Sequence, residues 1–332
     1  MSEICYHSSL GKYMTLYLKE KKHIGHKALD VQFTFITIDR YLESINFKKS
    51  YIDKNTYTAW LETQQQYKPA TIYQHVSIFR RLLIYMCNLG NESYIPRLPK
   101  RHNSGFTPYI FSKEEIKKIF DAADNLRIRE RQSKTVLIAI PAIMRTLYST
   151  GTRISEVLAI RNKDIDFSKH IIMLNETKNG CQRIAPINQS LEIVLRQYLK
   201  YRGLINSKDI DNPNSFFFVS AIGKDIARRT VNSYFRKIIN DAGITYKGNH
   251  EGPRIHDIRH SACVHSLINQ IEKGRDIYCA LPMLSVFMGH KKVIDTEHYL
   301  RLTADMYPEI VKLDMTVTAN ISSILRKTLK NE

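Results

Sequence analysis

Six side chains in this 332-residue sequence, Arg153, Lys178, His256, Arg259, His290 and Tyr299, have the types that one reaction on a phosphodiester would need. Two guanidinium groups can grip the non-bridging oxygens of a single phosphate and hold its charge in the transition state. An ammonium can protonate a departing alkoxide, imidazoles can carry protons or donate hydrogen bonds, and a phenol can attack phosphorus. That inventory spells phosphoryl transfer without a metal or other cofactor, with cationic side chains standing where Mg²⁺ stands elsewhere and no carboxylate cluster suited to a two-metal site.

Each pattern taken singly has an ordinary explanation. In Gly151-Thr-Arg153-Ile-Ser-Glu156 the arginine and glutamate lie three apart on one helix face, the spacing of a surface ion pair. Lys178 sits beside Asn179-Gly180, a hairpin signal, where a lysine is usually just solvated. In Pro253-Arg-Ile-His256-Asp-Ile-Arg259-His260 the proline suits a helix start, so His256, Arg259 and His260 share a face of the first turns, beside free N–H groups that favour an anion. Two His at i and i+4 also suggest a zinc site, but Asp257 replaces the longer Glu base and Arg259 puts a fixed positive charge on the metal face. In Met288-Gly-His290 the glycine suits a helix C-cap that places His290 just beyond, and Tyr299 is one of 19 tyrosines, most of which pack.

These residues must be held by a fold that is mainly α with a small β-hairpin or sheet, an α+β chain. Apolar spacing predicts helices over Met14–Leu18, Val31–Ile45, Tyr57–Leu61 and Thr71–Met86, a small helical bundle. Lys68, Arg80 and Arg81 fall off the apolar face of the last of these. Periodicity stops from Leu89 to Phe111, where Gly and Pro accompany Arg97, Lys100 and Arg101, a basic linker. These six bases are the candidate contacts to a polyanion's backbone. Ser112-Lys-Glu-Glu115 has capping-box spacing and opens a second domain. Further helices are expected at Lys134–Ser149, Ile154–Ile160, Leu191–Tyr201, Thr230–Ala242, Ile255–Ile271, Leu281–Met288 and within Met315–Leu329. His170–Leu174 and Arg183–Ile187 flank the hairpin turn, with Phe216–Val219 as a third strand. The expected division is a helical domain over 1–95, a linker over 96–111, the second domain over 112–306 and a tail over 307–332.

Lys plus Arg exceed Asp plus Glu by 50 to 32, a net charge of +18. The surplus is shared, 15 bases against 8 acids through Phe111 and 35 against 24 beyond it, so both domains suit one polyanion. Average apolar and charged content excludes collagen-like and disordered classes. Five scattered cysteines without a C-x-x-C pair suit a reducing cytoplasm, and no apolar run is long enough for a membrane anchor.

The ordered set Gly151-Thr-Arg153-Ile-Ser-Glu156, Thr177-Lys178 before Arg183-Ile-Ala-Pro186, His256-Asp-Ile-Arg259-His260, Met288-Gly-His290 and Tyr299 resembles the tyrosine recombinase (phage integrase) family. The resemblance covers Ser112 to about Tyr307 and, more weakly, the helical first domain, which is similar to the family's core-DNA-binding domain. It implies a two-domain, C-shaped clamp around duplex DNA. Within it Tyr299 would be the nucleophile, activated by Arg153, Lys178, His256, Arg259 and His290, with Glu156 and His260 in support. It further implies cutting and rejoining of DNA through a 3′-phosphotyrosyl link at inverted-repeat core sites by a tetramer, with an accessory directionality factor, in the bacterial cytoplasm at the nucleoid. Met288 replaces the usual Leu before Gly-His, and Asn269–Pro282 lengthens the interval ahead of it as in recombinases of transposons and integrative elements. No additional amino-terminal arm-binding domain is evident. A mobile-element recombinase for integration and excision is therefore the expected function. The alternatives are a chromosome-dimer resolvase, a type IB topoisomerase-like enzyme and a non-catalytic DNA-binding protein on the same fold.

Overall fold

The computed structural model describes residues 4–25, 28–100, 107–127, 136–175, 182–206, 209–246, 252–289 and 299. The chain divides between Phe106 and Thr107 into two compact units. Among its described residues the first holds four helices, α1 (Gly11–His23), α2 (Leu29–Ser44), α3 (Lys54–Glu62) and α4 (Pro69–Asn88). Val76, Phe79, Leu83 and Met86 of α4 recur at three-and-four spacing and bury against Met14, Phe35, Ile38, Leu42 and Trp60. Asp53 caps α3 by accepting the N–H of Thr56 at 2.8 Å, and Pro69 opens α4 where its missing N–H costs nothing.

In the second unit Ser112 and Glu115 form a reciprocal capping box at the start of α5 (Lys113–Asp124), the Ser112 N–H donating to the Glu115 carboxylate at 2.8 Å and the Glu115 N–H to the Ser112 hydroxyl at 3.1 Å. A short 3₁₀ turn over Leu137–Ala139 leads into α6 (Ile140–Thr150), with Pro141 in its first turn. Then come α7 (Ile154–Ala159), the strands β1 (Ile165–Asp166), β2 (Ile171–Leu174) and β3 (Arg183–Pro186), and α8 (Gln189–Arg202). The order closes with α9 (Arg228–Asp241), α10 (Ile255–Glu272) and α11 (Ile277–Met288). The three strands form one antiparallel sheet in sequence order, with Ile172 opposite Ala185 and Leu174 opposite Arg183. Ile172, Leu174 and Ala185 turn one face of it into a core shared with α5 to α9. Helix α10 packs against α6 and α11.

Phe216–Val219 is not the third strand that its β-favouring residues suggest. Its backbone is taken by side chains and a loop: Phe217 donates its N–H to the Ile160 carbonyl, its own carbonyl accepts from Tyr198 and the buried Arg202, and Val219 N–H donates to the Tyr198 hydroxyl. The third strand is instead Ile165–Asp166, too short to show a period. Helix α11 begins at Ile277 rather than Leu281 and carries Pro282 in its interior. Pro253 stands two residues before α10, outside its first turn, and Arg254 is the N-cap. The expected helix within Met315–Leu329 lies outside the described residues.

Candidate active site

Three local devices converge on one place in the second unit. The first is the turn between α6 and α7. Gly151 ends α6 at φ +57, the left-handed region, and a Cβ there would meet the Met288 sulphur at 2.7 Å, so glycine is required twice over. Five residues on, Glu156 folds back from the first turn of α7 so that one oxygen accepts the backbone N–H of Arg153 at 2.9 Å and the other accepts the Arg153 guanidinium at 2.8 Å. The spacing that suggests a surface ion pair is thus a buried carboxylate, with Glu156 only 2% exposed.

The second device is Arg183 at the start of β3. Its guanidinium donates to Glu156 at 2.9 Å and also to the Phe287 carbonyl near the end of α11. Burial pushes the Glu156 carboxyl up, but the Arg153 N–H and the two guanidinium groups outweigh it and hold Glu156 ionised, below its ordinary value. Gly289, at φ +66, runs directly over Arg183, where a Cβ would sit 2.8 Å from its side chain. Sequence reasoning passed over Arg183 as a strand residue. The visible signal was a charged residue opening a strand beside an otherwise apolar pattern.

The third device is the N-terminal half of α10. Asp257 accepts the backbone N–H of Arg254 at 2.7 Å and starts the helix, which sets His256, Arg259, His260 and Cys263 along successive turns of neighbouring faces. Arg259 is 2% exposed and donates to the Gly151 carbonyl at 2.5 Å and the Met288 carbonyl at 2.6 Å, tying both earlier devices to α10. Burial and the neighbouring Arg153 lower its pKa to about 10, so it remains a cation near neutral pH. His256 keeps a solvent-accessible ring, yet protein atoms crowd it and Arg259, Arg153, Arg254 and Arg228 add positive charge, which together lower its pKa to about 4. The His256 and His260 rings meet edge to face at 4.8 Å between centroids.

Tyr299 closes the cluster. It is 4% exposed and packs beside Cys263 and Met288, with its hydroxyl 2.8 Å from His260 Nδ1. Burial, reinforced by Cys263, raises the phenol well above its ordinary value, while Arg259 and Arg153 oppose that rise. Arg153, Arg183 and Arg259 face one carboxylate, Glu156, so the assembled group has a surplus of positive charge suited to an anion.

The structure therefore brings together Arg153, Glu156, His256, Arg259, His260 and Tyr299. Lys178, His290 and Arg101 lie outside the described residues. In the first unit Lys68, Arg81, Arg97 and Lys100 are exposed, while Arg80 is half-buried and donates to the Pro96 carbonyl at 2.9 Å. Arg81 donates to Ser77 one turn back at 3.2 Å. Among the described residues no helix is long and apolar enough to cross a membrane.

Comparison with known proteins places this cluster in context. The phage integrase family matches residues 110–306, more than half of the chain. A putative integrase/recombinase, y4rB, from Sinorhizobium fredii is 26% identical over 302 residues, covering 89% of this chain and 94% of that protein. The tyrosine recombinase XerA of Pyrococcus horikoshii is 28% identical over 218 residues, covering 65% of this chain and 63% of its own length. Among solved structures, the XerH site-specific recombinase bound to palindromic difH substrate superposes with a TM-score of 0.62 at 18% identity, covering 92% of this chain and 84% of that one. The Tn1549 transposon integrase in complex with transposon right end DNA superposes with a TM-score of 0.60 at 16% identity, covering 89% and 99%. These superpositions establish likeness of fold.

Proposed function

The chain belongs to the phage integrase family, the tyrosine recombinases, which are DNA breaking-and-rejoining enzymes; from that premise we propose that it is a site-specific recombinase that integrates and excises a mobile element. The observation that carries the chemistry is the Tyr299 hydroxyl, fixed against His260 beside the buried Arg259. Tyr299 attacks the scissile phosphorus, forms a 3′-phosphotyrosyl ester and releases a 5′-hydroxyl. Arg153 and Arg259 hold the phosphate oxygens, Glu156 holds Arg153 in place, and His256 donates to the phosphate. Lys178 protonates the leaving oxygen and His290 completes the phosphate contacts. Because the ester conserves the bond energy, a partner strand's 5′-hydroxyl reverses the step.

Residues 1–95 act as the core-DNA-binding domain, 96–111 as its linker, 112–306 as the catalytic domain and 307–332 as a segment joining protomers. Lys68, Arg80, Arg81, Arg97, Lys100 and Arg101 contact the DNA backbone. The substrate is double-stranded DNA with inverted-repeat core sites, bound by four protomers in the bacterial cytoplasm at the nucleoid, with an accessory factor setting direction. The match along nearly the whole of a putative integrase/recombinase, the fold shared with a transposon integrase and the long Asn269–Pro282 interval support the mobile-element role. The test is recombination between duplexes taken from the DNA flanking the gene. Joining of two element ends to a circular junction is the expected result. Exchange confined to two copies of one chromosomal locus would instead make the protein a chromosome-dimer resolvase.

A further inference from the structure

Resting on that reading, we propose that His260 is the general base that takes the proton of Tyr299 as the tyrosine attacks phosphorus. Its Nδ1 lies 2.8 Å from the hydroxyl, inside the range a proton transfer requires, with the two ring centroids 5.6 Å apart. A phenol this deeply buried needs such a partner, because its burial opposes ionisation. Of the two other imidazoles of the helix, His256 lies one turn earlier, meets His260 edge to face and is surrounded by arginines that disfavour its taking up a proton, and His265 is engaged by the Tyr148 hydroxyl at 2.7 Å. Among the described residues, the other ionisable groups around the pair are Cys263 on the same helix, Arg259 and Arg153, Arg183 from the sheet, and Glu156, whose two oxygens are already engaged by Arg153 and Arg183. Arg259 and His260 are adjacent in sequence, so one turn of α10 delivers charge stabilisation to the phosphate and basicity to the nucleophile.

To act as the base, His260 has to be the tautomer with its hydrogen on Nε2, so that Nδ1 accepts from the Tyr299 hydroxyl. As the Tyr299 oxygen bonds to phosphorus, its proton moves to Nδ1 and the bond from phosphorus to the 5′-oxygen breaks. The departing oxygen takes a proton from the separate acid, Lys178. In rejoining, the attacking 5′-hydroxyl gives its proton back to Lys178, and His260 returns its proton to Tyr299.

The test uses the full chain and a nicked duplex carrying the site that the wild-type protein captures covalently from a randomised pool. Both His260→Ala and His260→Asn should form the covalent adduct on the order of 10²-fold more slowly in a single turnover, with DNA affinity unchanged. Added imidazole should restore much of the rate to His260→Ala. His260→Asn, which keeps an acceptor near the Nδ1 position but cannot take a proton, should stay slow and carries the test if the alanine variant fails to fold. A 5′-bridging sulphur at the scissile phosphate should rescue Lys178→Ala, whose defect is in the leaving group, and should leave both His260 variants slow. A wild-type rate in His260→Asn, sulphur rescue of either His260 variant, or no imidazole effect on a folded, DNA-binding His260→Ala would overturn the assignment. Absence of any adduct from the wild-type protein would overturn the recombinase reading beneath it.

Discussion

Arg259 spends hydrogen bonds on two main-chain carbonyls, Gly151 and Met288, which fixes its plane while its charge remains directed at the Tyr299 hydroxyl. A guanidinium held this way acts on developing charge more than on overall affinity, which the wide basic surface supplies. Arg259→Ala and Arg153→Ala should each reduce cleavage on the order of 10²–10³-fold with little loss of DNA binding. Gel-shift affinity that collapses in step with cleavage would make them ordinary DNA contacts. His256, lowered to about 4, is neutral at pH 7 in the free protein, and a bound phosphate favours its protonated form. Its imidazole should titrate near 4 by NMR without DNA and higher with it; an ordinary value of about 6.5 in the free protein would contradict the crowding described. Between about pH 6.5 and 4 the folded chain binds fewer protons at His256 than the unfolded chain does, so stability falls as pH drops through that window. The Arg153–Glu156 pair was legible from its spacing. The contact between His260 and Tyr299 was not, because it joins residues 39 apart and no local period encodes it.

The strand β3 matters to the site through Arg183, which links the sheet to α7 and to the end of α11. Arg183→Ala leaves Glu156 with one partner fewer in a buried place and should lower stability by about 1–3 kcal/mol, read as a shift of the denaturation midpoint. An unchanged midpoint would mean that Arg153 alone satisfies the carboxylate. Most elements were legible where their apolar period was long, as in α4 and α10, or where a cap announced them, as at Ser112 and Glu115. The failures have physical causes. Two-residue β1 carries no period, the Phe216–Val219 backbone is claimed by Arg202 and Tyr198, and Pro282, which suits a helix start, hid the turn of α11 that precedes it.

At the scale of the whole molecule, both units are basic, as expected if each touches the same polyanion. Beyond Tyr299 the sequence has an apolar stripe, Val317, Ile321, Ile324 and Leu325, which suits docking on a neighbouring protomer. Deletion from Asp314 onward should spare binding of one protomer to a half-site and abolish cooperative assembly; unchanged synapsis by light scattering would refute that role. Tyr299 is expected to become covalently joined to DNA, which mass spectrometry of the adduct trapped on the nicked duplex measures most directly. The 3′-phosphate should be found on the peptide containing Tyr299, and Tyr299→Phe should bind the same DNA and yield no adduct. A wild-type yield of adduct from Tyr299→Phe, or DNA attached to a different residue, would contradict the account.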